Sequence, residues 1–175
     1  MMEIVKCKGS DLDRTAKFYD EVVIYLDENN INYPQWKYNI YPSRSSVQKA
    51  IENKGQYICI ENGEVIGGFI LNEDPQGAYE KGEWQKNLLP GEFLVIHTLA
   101  TKGGHYNKGI GKAMIEFCIS YGKENGYKGI RLDAVPDNLP ARRLYEKLGF
   151  TFAGDKNLER YDQNIPLFSL FELNF

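Results

Sequence analysis

The stretch Asn107-Lys-Gly-Ile-Gly-Lys112 constrains this chain more than any other. Residues 93–101, Phe-Leu-Val-Ile-His-Thr-Leu-Ala-Thr, read as an apolar strand, and residues 111–125 read as a helix. A strand that turns through closely spaced glycines into a helix makes an anion cradle. Glycine lets backbone approach a ligand, and the first helical N–H groups lack intrahelical partners. Those donors and the positive end of the helix dipole suit a phosphate or diphosphate.

The loop is neither of the two common phosphate motifs. Gly104 and Gly109 have the glycine spacing of a P-loop, but Ile110 and Gly111 stand where Lys and Ser/Thr are needed. Gly109 and Gly111 begin a dinucleotide fingerprint, but Met114 replaces its third glycine. On spacing alone, a plain tight turn with a helix start accounts for the loop equally well.

The remaining elements follow from periodicity and breakers. Residues 3–7 alternate as a strand, and residues 12–28 carry Ala16, Val22, Val23 and Leu26 near helical spacing, with Asp11 as expected N-cap and Asn29-Asn30 as stop. Ser43 or Ser45 can cap a second helix that runs to residues 51–54. Residues 56–60 and 65–71 are strands joined by Asn62-Gly63, a type I′ hairpin signal. Residues 74–91 form an insertion with a helical turn near Ala78. A strand at 128–135, a helix at 139–148, a strand beginning at 150–153 and a last strand at 165–175 complete the order. Hairpins alternate with helical crossovers, so the fold class is α/β, in the α+β sense of a mixed sheet with helices on its faces.

Composition narrows the function classes. A length of 175 residues fits a single domain with a real core. A net charge of −3 and a pI near 5.5 argue against a nucleic-acid partner. No apolar run reaches a membrane span, and Met-Met-Glu-Ile-Val-Lys does not read as a secretory leader, so a cytoplasmic location is expected. Cys7, Cys59 and Cys118 are scattered among apolar residues and read as reduced core thiols. Two histidines without a Cys-x-x-Cys pair make a metal site unexpected.

Three segments together resemble the GNAT superfamily of N-acetyltransferases. They are Leu99-Ala100-Thr101 at a strand end, the loop at residues 107–112, and Asn138 followed by Tyr145 within Leu-Tyr-Glu-Lys-Leu-Gly-Phe150. The resemblance is strongest between Val95 and Phe150, and it extends loosely over the whole chain. One position departs: the family loop usually opens with Gln or Arg, and Tyr106 stands there.

The resemblance implies a mostly antiparallel sheet of about seven strands whose central strands, carrying Leu99 and Asp133, splay apart. It implies acetyl-CoA as cosubstrate and direct transfer to a primary amine. The backbone of Asn107, Lys108, Gly109, Ile110, Gly111 and Lys112 would hold the diphosphate, and Leu99, Ala100 and Thr101 would pair with the pantetheine arm. Asn138 would be a cap and a cofactor ligand, and Tyr145 the acid that protonates the thiolate. A phenol suits that task because its pKa, near 10, exceeds that of a thiol.

His97 and Asp133 are the two side-chain candidates for the general base; a water relay, or an amine already deprotonated, would dispense with one. An imidazole titrates near neutrality, and a carboxylate in a dry cleft can be raised toward it. Strand alternation would put His97 on one face with Val95 and Leu99. Trp36, Tyr41 and Trp84, with Tyr38 and Tyr79, are expected around a small-molecule or peptide amine. Each ring could equally cover the edge of the core. The protein would act as a monomer or homodimer. A non-catalytic acyl-CoA sensor, or a transferase for another acyl group, remain alternatives.

Overall fold

A computed structural model describes residues 1–161 and 163–175. Among these residues, seven strands form a sheet in the order β1-β2-β3-β4-β5-β7-β6. They are β1 (Met2–Lys6), β2 (Gln56–Glu61), β3 (Glu64–Asn72), β4 (Phe93–Thr101), β5 (Gly129–Ala134), β6 (Thr151–Lys156) and β7 (Phe168–Asn174). The helices are α1 (Leu12–Glu28), α2 (Arg44–Glu52), α3 (Ile110–Glu124) and α4 (Leu139–Lys147). The sheet is mixed: β4 and β5 run parallel, while β1–β2, β2–β3, β5–β7 and β6–β7 pair antiparallel. The chain divides into two compact units, and the division passes through β4 and α3.

The first unit comprises Met1–Leu71 with His97–Phe117. Its core joins Phe18, Tyr19 and Val22 of α1 to Val47 of α2, Ile58 of β2 and Ala100 of β4. These α1 positions recur at helical spacing, which gives the helix one apolar face. The hairpin between β2 and β3 turns at Asn62 (φ 51°) and Gly63 (φ 79°), both left-handed as the type I′ turn requires. Neighbouring residues of a strand face opposite ways. A Cβ on Gly67 would stand 2.8 Å from Met114 Sδ, and one on Gly68 3.0 Å from Tyr19 Oη. Two adjacent glycines in β3 therefore let α3 and α1 lie close on opposite faces.

The second unit comprises Asn72–Ile96 with Cys118–Phe175. β7 pairs with β5 from Asn174↔Gly129 to Ser169↔Ala134, and β6 adds to its other side. Phe93, Val95, Leu158, Phe168 and Leu170 form the core, with Tyr79 from the 74–91 insertion buried among them.

Two expectations need correction. Asp11 occupies the N-cap position of α1 as expected, but its side chain makes no capping bond; its Oδ2 accepts from the Lys8 N–H at 2.7 Å and closes a 3-10 turn, Gly9–Asp11, that precedes the helix. The last strand begins at Phe168 instead of residue 165, since no ladder pair precedes Phe168 among the described residues. The helical turn expected near Ala78 is present, as the 3-10 turn Tyr79–Lys81. Ser43, by contrast, does cap α2, accepting from the Ser46 N–H at 3.2 Å.

Among the described residues no helix is long and apolar enough to cross a membrane. Gly77 has φ 132°, and a Cβ there would stand 2.6 Å from the Leu158 carbonyl oxygen, which accepts from the Ala78 N–H. Gly77→Ala should therefore cost about 2 kcal/mol or more in urea denaturation, because both the dihedral and fixed backbone oppose it. An unchanged midpoint would contradict the placement of this segment.

Candidate functional site

The parallel ladder of β4 and β5 pairs Phe93–Ile96 with Gly129–Leu132. β4 then continues for five residues, to Thr101, and β5 for two, to Ala134. At this point β4 loses its regularity: Thr98 has φ 51°. A β-branched residue rarely adopts left-handed backbone, and the strain is of the order of 1–3 kcal/mol.

Two tyrosines hold it. Tyr19 of α1 donates to the Thr98 carbonyl at 3.0 Å, and the Tyr41 hydroxyl lies 2.7 Å from Thr98 Oγ1. Gln56, fully buried, stands behind them, its Nε2 3.3 Å from Tyr19 Oη. The break at Thr98 also corrects the alternation argument. Val95 and His97 share a face, but strict two-residue alternation does not run through a left-handed residue to Leu99. His97 itself is buried.

The glycine loop is fastened to α1. Lys102 forms ion pairs with Glu21, at 3.2 Å, and with Glu64, and its N–H donates to the Ile66 carbonyl. A Cβ on Gly103 would stand 2.3 Å from the Tyr25 ring, so only glycine lets the chain pass there. Tyr106, the departure from the family loop, packs on Tyr25 with ring centroids 5.8 Å apart. Asn107 (φ 62°) and Gly109 (φ 79°) are left-handed, a backbone pattern that turns successive N–H groups toward one side. α3 begins at Ile110, directly after Gly109. A glycine cannot supply the side-chain acceptor that Ser43 gives α2, so the first-turn donors of α3 suit an anion. Lys112 lies 3.7 Å from Glu116 on the same helix, an exposed pair.

In the second unit, Asn138 caps α4, its Oδ1 accepting from the Ala141 N–H at 3.3 Å. Tyr145 is buried on α4 against Phe171 and Phe150, with centroids 5.5 and 6.1 Å away. Burial, and then the Asp133 charge, push its phenol above the ordinary value. Asp133 accepts from Arg160 through both oxygens, at 3.0 and 2.9 Å, and from Tyr79 at 2.5 Å.

The aromatic candidates have structural neighbours. Trp36 packs edge-on to Tyr19 at 6.4 Å, and Tyr41 is bonded to Thr98. Trp84 stacks on the Arg131 guanidinium at 4.1 Å and donates to the Tyr79 carbonyl at 2.6 Å.

Residues 23–150 match the acetyltransferase (GNAT) family. The chain belongs to that family. It is 33% identical over 95 residues to the streptothricin acetyltransferase of Escherichia coli, a match covering 54% of this chain and 51% of that protein. The chain thus spans about half the length of this curated relative. Among solved structures, a GNAT family acetyltransferase from Streptococcus agalactiae superposes with a TM-score of 0.78 at 17% identity, covering 99% of this chain and 95% of that one. The Salmonella typhimurium protein yncA, solved with its cofactor acetyl-CoA, superposes at 0.72 with 14% identity, covering 99% and 94%. At such identities the two structures speak to the fold.

The structure thus groups Leu99, Ala100, Thr101 and residues 107–112 with His97, Trp36 and Tyr41 in the first unit. Asp133, Asn138, Tyr145 and Trp84 lie in the second. Sequence reasoning missed Thr98, Tyr19, Gln56 and Arg160. Nothing local marks them: Tyr19 reads as one more core residue of α1, and Arg160 lies 27 residues from Asp133.

Tyr19→Phe should cost about 1–2 kcal/mol in urea denaturation, because the Thr98 carbonyl and Gln56 each lose a partner. A variant as stable as the parent would mean that the tyrosine does not hold the break in β4.

Proposed function

We propose that this protein is an acetyl-CoA-dependent N-acetyltransferase acting on a primary amine. The observation that carries the reading is the start of α3: left-handed Asn107 and Gly109, a glycine in place of a capping side chain, and a loop fastened to α1. Such a backbone fits a diphosphate. Leu99, Ala100 and Thr101, beyond the last β5 partner of β4, have strand geometry that suits the amides of pantetheine.

Acetyl-CoA would supply an activated acetyl group as its thioester. The chain's own residues do the rest. A backbone N–H near Leu99 would stabilise negative charge on the acetyl oxygen. His97 would accept the proton that the amine loses, directly or through solvent. Tyr145 Oη would give its proton to the departing thiolate. Its raised pKa keeps that proton in place at neutral pH, and a phenolate formed there would recover it readily.

The amine acceptor is a small molecule or a peptide. The relative's name puts streptothricin first among the amines to try, followed by a polyamine, lysine and a peptide with a free N-terminus. Calorimetry with coenzyme A should give a saturable one-to-one isotherm. No heat of binding would end this reading, and binding without thiol release from acetyl-CoA across the amines would replace it with a sensor.

Tyr145→Phe should lower kcat about a hundredfold, with acetyl-CoA affinity changed only a few-fold. Because the phenol is held above its ordinary value near 10, the parent-to-variant rate ratio should stay flat from about pH 6 to pH 10. A ratio that collapses near neutrality, or an unchanged kcat, would remove Tyr145 from the acid role.

A further inference from the structure

Asp133 is more heavily bonded than a general base should be. It stands near the end of β5, just beyond the last pair with β4. Arg160 Nη1 reaches its Oδ1 at 3.0 Å and Nη2 its Oδ2 at 2.9 Å, while Tyr79 donates to Oδ2 at 2.5 Å. A carboxylate has about four acceptor positions, and three are filled here. The pair is nearly buried, with side-chain exposures of 13% for Arg160 and 11% for Asp133. Removing this carboxylate, as in Asp133→Asn, would leave a nearly buried guanidinium without its counter-charge, a costly state in low dielectric.

The same guanidinium reaches further. Nε donates to the Gln76 carbonyl at 2.5 Å and Nη2 to the Pro75 carbonyl at 3.2 Å, and the group lies 4.7 Å from the Phe168 ring. Arg160 thus ties the carbonyls of residues 75 and 76, and Tyr79 ties residue 79, to one carboxylate on β5. The segment continues into Trp84, whose indole N–H is bonded to the Tyr79 carbonyl. Burial and then the Asp133 charge hold the Tyr79 phenol above its ordinary value, so it remains a donor. Burial opposes the charge on Arg160, but Asp133 outweighs it and raises the guanidinium further.

We infer that Asp133 and Arg160 are a positioning pair that clamps residues 75–84 onto β5, with Asp133 serving as counter-ion and not as the proton acceptor. This rests on the acetyltransferase reading, and it deepens that reading by excluding one of the two base candidates and naming what holds the 74–91 insertion. A base and a clamp respond differently to loss of the arginine. A base freed from its guanidinium would work as well or better. A clamp fails equally whichever half is removed.

The test compares Asp133→Asn, Arg160→Gln, the double variant and Arg160→Lys in the full-length protein. Amide hydrogen exchange reads the clamp without any substrate. Residues 75–80 should exchange about tenfold faster in each single variant, and the double variant should be no worse than either single one. Arg160→Lys keeps the charge but loses the fork, and it should also speed exchange there; it serves if Arg160→Gln does not fold. With the amine that gives most thiol release, kcat should change by the same factor in Asp133→Asn and Arg160→Gln while KM for acetyl-CoA holds. Unchanged exchange at 75–80 in the arginine variants would overturn the inference. So would a kcat lost in Asp133→Asn but kept in Arg160→Gln. If the parent protein releases no thiol with any amine, the enzymatic reading falls, and the exchange data still decide whether the clamp exists.

Discussion

A strand held in an unfavourable conformation is the constraint on which the candidate site depends. β4 is regular through Ile96, where its ladder with β5 ends, and Thr98 then sits at φ 51°. An isolated strand would relax that residue at once. The Tyr19 and Tyr41 hydroxyls meet its carbonyl and its Oγ1, and Gln56 supports Tyr19 from behind. Leaving that partly buried carbonyl without a donor would cost about 1–3 kcal/mol, comparable with the strain these bonds hold in place. The strain is borne by contacts from α1, from β2 and from Tyr41 in the segment between α1 and α2, and the conformation it sets is that of residues 99–101.

The glycine loop follows the same logic by other means. Its shape is held from outside, by Lys102 between two glutamates and by Tyr106 on Tyr25. Gly103 is the passage that allows the ring to sit there. A loop fixed in this way would lose little ordering entropy if, as proposed, an anion bound there. Tyr106 replaces the family's usual polar residue, and its ring contact gives the position a packing role.

In the second unit, charge takes the part that strain plays in the first. Asp133, Arg160 and Tyr79 form a nearly buried cluster, and Arg131 lies between the rings of Trp84 and Phe93 at 4.1 and 4.3 Å. Arg131, buried, and Arg160, nearly so, thus bind an irregular insertion to the strand β5. Trp84, expected from sequence around the acceptor, is engaged in that binding.

Much of the fold was legible because it rests on local chemistry. Asn62-Gly63 dictates a type I′ hairpin wherever it occurs between strands, Ser43 caps the helix that begins at Arg44, and the glycines before α3 announce a bare helix start. The family was legible for a related reason: residues 99–101, 107–112, 138 and 145 stand at fixed separations along the chain. What sequence left open was which partners the buried polar groups take. Nothing near Asp133 in the chain names Arg160 as its partner, and nothing near Thr98 names Tyr19 or Tyr41. Local dihedral preferences act between neighbours, so the chain by itself determined its turns, caps and apolar faces. Ion pairs and strained backbone depend on groups tens of residues apart, and only the tertiary structure, by removing water from around them, decided what each would do.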